Sequence, residues 1–280
     1  MSRFRLWLRV ALIALMAAGV IGWAFSDLIL YEATPKSGEL RSSLGKWIAF
    51  TPQGGRSWKG VLQRADYRWK GCIGLVGLEL CIRGGTREES FRICPWDLWR
   101  ARVLPPEEIV NIGQVTLPAK RVVYVLYLPA GNSGAIWHDL TMVIMDSVGS
   151  LRSQQSFDVI WPGLAGKPKV LFGKMVPAEQ AAAALATSKL TVAEHVNAED
   201  VWPCIEEAFA RKPDAVVLVG CGSTIDNTAQ RPMMHGDSGG TPVYAFSITD
   251  DGGWMAQLGW ATGGFYRKLE TCCSGVTTTE

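Results

Sequence analysis

The stretch RPMMHGDSGGTPVY runs from Arg231 to Tyr244, and at its centre Gly236-Asp237-Ser238-Gly239-Gly240 sets one hydroxyl among glycines. Flanking glycines let the backbone turn tightly enough to aim successive N–H groups at one point. In that geometry the amides of Gly236 and Ser238 hold a developing oxyanion while the Ser238 hydroxyl attacks. A β-turn rich in Gly and Asp, with no chemistry attached, is the plain alternative. A serine nucleophile also needs a base to take its proton. The chain has three histidines, His138, His195 and His235.

Working outward, 280 residues give ample material for a core in one or two domains. The 28 basic residues nearly balance the 26 acidic ones, so net charge offers no electrostatic footing for nucleic acid, and none is expected as a partner. Thirty glycines, 14 prolines and 12 tryptophans fit a loop-rich β protein better than a helical bundle. The cysteines are Cys72, Cys81, Cys94, Cys204, Cys221, Cys272 and Cys273, an odd set that leaves at least one thiol without an intrachain partner. They show no C-x-x-C pair with tandem spacing, so neither a metal nor a cofactor is expected.

Residues 1–32 read as a signal peptide or signal anchor. Arg3, Arg5 and Arg9 precede an apolar run from Val10 to Phe25, of a length that suits a signal-peptide core. Counted from Leu6, with Arg9 snorkelling, it suits a membrane anchor. Ala24-Phe25-Ser26 offers a small-x-small cleavage site, whereas the apolar LILY that follows favours an uncleaved transmembrane helix. The basic flank would stay in the cytoplasm. The main domain is therefore expected outside it, periplasmic or extracellular, attached to the membrane through the N-terminal helix or secreted if the leader is cleaved.

Residues 33–60, with ATPKSGEL and TPQGGRSWKG, read as a linker or entry segment. Beyond them short apolar runs alternate with turn signals. GCIGLVGLELCI, RVVYVLYL, DLTMVIM, PKVLFGKMV, KLTVAEHV, AVVLVGC, TPVYAFSI and GWMAQLGWA are strand candidates. PAEQAAAALATS has helix propensity, and NAEDVWPCIEEAFARK opens with a capping-box-like Asn197 and Asp200.

GDSGGTPVYAFSITDDGGWMAQLGWATGG resembles the trypsin and chymotrypsin family, in which a G-D-S-G-G loop opens a strand and a later strand lines the substrate cleft. Gly259-Trp260-Ala261-Thr262-Gly263-Gly264 stands in the place of that later strand. The segment RVVYVLYLPAGNSGAIWHDLTMVIMD is similar to the family stretch that carries the triad aspartate, which maps to Asp139. The resemblance implies an all-β fold, a double β-barrel of chymotrypsin type over residues 61–280, with barrels at approximately 61–160 and 161–280. It implies Ser238 as nucleophile, Asp139 as triad acid, and Gly236 with Ser238 as oxyanion donors. Pro232, His235, Thr262 and Gly264 would line the substrate site. It also implies disulfides Cys204–Cys221 and Cys81–Cys94.

The family histidine precedes a cysteine that maps to Cys94, and Ile93 occupies its position. On a strand His138 would point away from Asp139. Loss of the histidine alone costs turnover on the order of 10⁶ in a well-studied serine protease. Two functions follow from the resemblance: an exported serine endopeptidase acting on a peptide or protein, or an inactive pseudoprotease that binds one. A rival assignment takes His138 as base with Asp158 or Glu179 as acid.

Overall fold

A computed structural model describes residues 7, 10–22, 35–52, 57–70, 75–84, 87–93, 95–128, 134–163, 167–191, 201–221, 239–248 and 253–269. Two compact units divide the chain between Leu104 and Pro105.

The N-terminal unit is built on an open antiparallel sheet in the order β4-β3-β2-β1-β5. Its strands are β1 (Trp47–Phe50), β2 (Trp58–Lys70), β3 (Leu75–Gly84), β4 (Arg87–Ile93) and β5 (Ala101–Val103). Side chains alternate across the sheet. Ile48, Phe50, Leu62, Leu80, Ile82 and Ile93 enter one apolar core, joined by Leu40 of helix α1 (Pro35–Arg41) and Leu98 of the 3-10 turn Pro95–Arg100. Residues 35–50, expected to be linker, therefore supply a helix and an interior strand.

The C-terminal unit carries a second open sheet in the order β10-β9-β8-β12-β13-β14, with β11 also on β9. The strands are β8 (Arg121–Tyr127), β9 (Ser156–Pro162), β10 (Pro168–Val170), β11 (Val176–Pro177), β12 (Ala215–Gly220), β13 (Val243–Ser247) and β14 (Phe265–Lys268). Pairing is parallel among β9, β8, β12, β13 and β14, and antiparallel for β10 and β11 on β9. A hairpin of β6 (Ile109–Ile112) and β7 (Val115–Pro118) precedes it. With β11 left out and β8 numbered as the first strand, the order runs 3-2-1-4-5-6, as in a doubly wound α/β sheet, except that the outer strand β10 is antiparallel. Helices α2 (Gly134–Ser150) and α3 (Gln180–Thr191) cover one face, with Leu140, Ile144 and Leu190 packed against Val122, Tyr124 and Val217. Helices α4 (Trp202–Ala210) and α5 (Gly253–Ala261) cover the other, with Ile205 and Leu258 packed against Val123, Val125 and Leu218.

This architecture overturns the expected all-β double barrel: the fold is mixed α/β, its sheets are open, and no closed barrel occurs among the described residues. The physical reason lies in β12, buried at every one of its positions. A strand covered on both faces reads as a continuous apolar run, the mark of a parallel sheet between helix layers. DLTMVIM and GWMAQLGWA, expected as strands, fall in α2 and α5. In α2 the buried residues Trp137, Leu140, Ile144 and Val148 recur at helical spacing, and the helix lays that stripe on the sheet. His138 and Asp139 are thus neighbours on a helix, not on a strand.

The expected transmembrane or signal-anchor helix is also corrected. Among the described residues no helix is long and apolar enough to cross a membrane. Neither expected disulfide forms at the described cysteines, and all three of these are buried thiols. Cys221 packs into the core on the α2 face and Cys204 into the core on the α4 face, so the sheet lies between them. Cys81 makes a 3.0 Å hydrogen-bond contact with Ser90 Oγ; Cys94 lies outside the described residues.

Candidate functional site

In an open parallel sheet, ligands collect outside the carboxyl ends of the strands, at the point where strand order reverses. Here the reversal falls between β8 and β12. Tyr127 closes β8 and pairs with Gly220, which closes β12 and pairs in turn with Ser247 of β13. Gly220 answers a steric demand, because a Cβ there would come within 2.7 Å of the Tyr127 carbonyl oxygen. Gly220 lies on the α4–α5 face between Tyr127 and Ser247, and Tyr127 fills the space that a side chain there would need.

Three aromatic side chains gather on this face around Tyr127. The Trp254 ring, in the first turn of α5, meets Tyr127 edge-on at 5.6 Å and lies 6.3 Å from Trp202, which opens α4. Edge-to-face pairs of this kind fix ring orientation as well as burying area. Trp254 Nε1 is buried and makes no hydrogen bond. A buried donor without an acceptor costs about 1–3 kcal/mol, and Trp161 Nε1 is in the same position. Across the sheet, burial pushes the Cys221 thiol up to about 11. It is protonated at neutral pH, and the thiol rather than the thiolate is a poor nucleophile.

The amino edge is organised differently. The Asp214 carboxylate accepts the N–H groups of Lys120 and Arg121, both at 3.0 Å, and ties the start of β8 to the start of β12. Gly239 and Gly240 take positive φ values of 57° and 84°. They lead through Thr241, whose hydroxyl donates to the Pro213 carbonyl, into β13. The Thr262 hydroxyl accepts the Val243 N–H at 2.9 Å and donates to Leu258 O. Gly264 lies so close to β13 that a Cβ would overlap the Val243 carbonyl. Thr262, Gly264 and the Gly239–Gly240 turn thus meet where β13 begins, and the first two hold β13 against α5 and β14.

Ser238, Gly236, Pro232 and His235 lie outside the described residues, as does His195. Asp139 is half-buried in the second turn of α2, and His138 beside it is exposed. That helix starts at the carboxyl edge, whereas the chain that follows Ser238 enters β13 at the amino edge. Ile93, assigned to the space of a missing imidazole, is buried in the apolar core of the N-terminal sheet. Glu179 is exposed just before α3. Asp158 is fully buried on β9, with Oδ1 accepting the N–H groups of Val159 and Phe172 and Oδ2 3.8 Å from Arg211 Nη1. Among the described residues no cluster of His, Cys, Asp and Glu is arranged to hold a metal. The aromatic set Tyr127, Trp202 and Trp254 was not anticipated from the sequence; the uninterrupted apolar runs RVVYVLYL and AVVLVG were the signal that could have placed a crevice at their ends.

No family model matches the chain, and no curated protein matches it. Among solved structures it is similar to the PilB minor pilin from Streptococcus sanguinis over 81% of each chain, at 9% identity and a TM-score of 0.31, too slight a likeness to establish a common fold.

Proposed function

We propose that this chain is a non-catalytic binding protein that works outside the cytoplasm and holds a peptide or protein segment at the carboxyl edge of its α/β sheet. The observation that carries the reading is the strand reversal between β8 and β12, with a buried, unpaired Trp254 N–H beside it. An aromatic wall with one orphan donor suits an extended backbone, whose carbonyl accepts the N–H while a side chain packs on Tyr127. Binding rather than turnover is favoured because the thiol at this edge is held protonated and Asp139 is carried on a helix. Export is supported by the three arginines that lead into the apolar stretch beginning at Val10.

Photo-crosslinking tests the reading. A benzophenone side chain at Ala135, exposed at the start of α2, samples the carboxyl edge; one at Lys212, exposed before β12, samples the amino edge. A discrete adduct from position 135, lost in Trp254→Phe, is expected, with none from 212. Stoichiometric fluorophosphonate labelling of Ser238 would instead establish a serine hydrolase and overturn the non-catalytic reading.

A further inference from the structure

Asp158 of β9 lies on the same side of the sheet as Ile160, beneath α4, with its side chain wholly buried. Its Oδ1 accepts the N–H groups of Val159 and Phe172 at 2.9 and 3.1 Å, but Oδ2, equally buried, accepts no hydrogen bond. Arg211, the first residue past α4, brings its guanidinium up to this carboxyl and stops short of it. Nη1 is 3.8 Å from Oδ2 and donates instead to the Gly173 carbonyl, and Nη2 lies 2.6 Å from Glu207 Oε1. Nε is buried without an acceptor. An orphan acceptor and an orphan donor thus stand side by side, each leaving a hydrogen bond unmade.

Two acceptors compete for one guanidinium. The Gly173 carbonyl belongs to the turn Phe172–Lys174, between β10 and β11, in which Gly173 takes a φ of 74°. Turning Nε onto Oδ2 would satisfy both orphans at once. The guanidinium is a rigid fork, so the same turn re-aims Nη1 away from the Gly173 carbonyl. An ionised Asp158 exerts that pull and a neutral one does not; the observed spacing is that of the neutral form. Few other charges bear on the pair. Glu207 faces it from α4, while Glu206, Lys174 and Lys212 are exposed. On β8 the residue opposite Asp158 is Val123, and Arg121 on the same face donates to the Arg211 carbonyl at 2.9 Å. On the other flank Val176 stands opposite Phe157 and Lys169 opposite Trp161, positions that point to the α2–α3 side. We propose that Arg211 is a pH-operated latch: it ties the Phe172–Lys174 turn to the end of α4 while Asp158 is neutral, and releases the turn when Asp158 ionises and claims the guanidinium.

NMR of the full chain tests this through the Gly173 carbonyl, whose chemical shift reads the hydrogen bond it accepts, as pH is raised from about 4 to about 8. One titration is expected, with a midpoint above the ordinary aspartate range, and the Lys174 amide should move with it. Asp158→Asn should hold the carbonyl at its low-pH shift throughout, and Arg211→Gln should hold it at the released shift throughout. Glu207→Gln should move the midpoint down, because that carboxylate opposes ionisation of Asp158 and competes for Arg211. Its side chain is 39% exposed, so this variant decides the matter if a substitution at the buried position prevents folding. The latch is overturned if the Gly173 carbonyl does not titrate, if it titrates unchanged in Asp158→Asn or Arg211→Gln, or if Glu207→Gln leaves the midpoint where it was.

Discussion

Asp158 sets two effects against each other. Burial opposes its ionisation, while backbone donors from Phe172 and Val159 and the charge of Arg211 favour it. Arg211 stays 3.8 Å away, beyond hydrogen-bond reach, because its guanidinium is engaged by the Gly173 carbonyl and by Glu207 at 2.6 Å. Burial wins, and the carboxyl titrates above its ordinary range. The folded state then holds this proton more tightly than the unfolded chain does. Between the unfolded pKa near 3.8 and the raised folded value, stability falls as pH rises. Urea unfolding at neutral and mildly acidic pH should show wild type gaining on Asp158→Asn as the pH drops. The opposite trend, wild type losing ground on acidification, would mean that the Arg211 charge dominates. Nothing in SFDVIWP announces this group: alternation places Asp158 on a buried face, but its partner lies in a turn more than fifty residues downstream, beyond any local pattern.

At the scale of elements, close approach between strands decides which small residues are replaceable. Gly220→Ala forces a methyl group against the Tyr127 carbonyl, which cannot rotate away, and should cost about 1–3 kcal/mol as overpacking. Gly149→Ala, in the last turn of α2 with nothing within 4 Å of the added carbon, should instead stabilise by about 0.5–1 kcal/mol through helix propensity. Denaturant midpoints for the two variants check the pair; equal shifts would show that the Gly220 contact relaxes. Segment types were legible where local preference and burial agreed. RVVYVLYL, AVVLVGC and TPVYAFSI are strands, and the helices anticipated in PAEQAAAALATS and NAEDVWPCIEEAFARK occur as α3 and α4. DLTMVIM alone does not decide its type, because a short apolar run fits a strand or a buried helix equally well. Only in the longer window, from Trp137 to Val148, does the helical stripe emerge.

For the whole molecule, two units with separate apolar cores predict separate unfolding. Calorimetry of the full chain should resolve two transitions, and residues 105–280 expressed alone should reproduce one of them. A single transition, with an unfolded fragment, would contradict this. Fold class is the part least legible in the sequence, since the five residues around Ser238 point to one architecture and the uninterrupted apolar strands on either side to another. A glycine-rich motif constrains a few backbone angles, whereas the layer order of a domain follows from which faces are covered along hundreds of residues.

The pairing of β8 with β12 has a consequence for how the chain reaches its structure. The contact between Arg121 and Asp214 joins positions 93 residues apart, and it sits at the centre of the sheet rather than at its rim. Closing so large a loop costs chain entropy before any neighbouring pairing repays it, so high contact order slows folding into the millisecond-to-second range. On a ribosome emitting about 5–20 residues per second, β8 and β9 are made several seconds before the strand that completes them. During that interval the edge of β8 that awaits β12 carries unpaired backbone groups and the apolar side chains of VVYVLY. Until Ala215–Gly220 arrives, that edge is open to mispairing with other chains, and yield in a cell should rise when a chaperone that masks extended apolar strands is supplied.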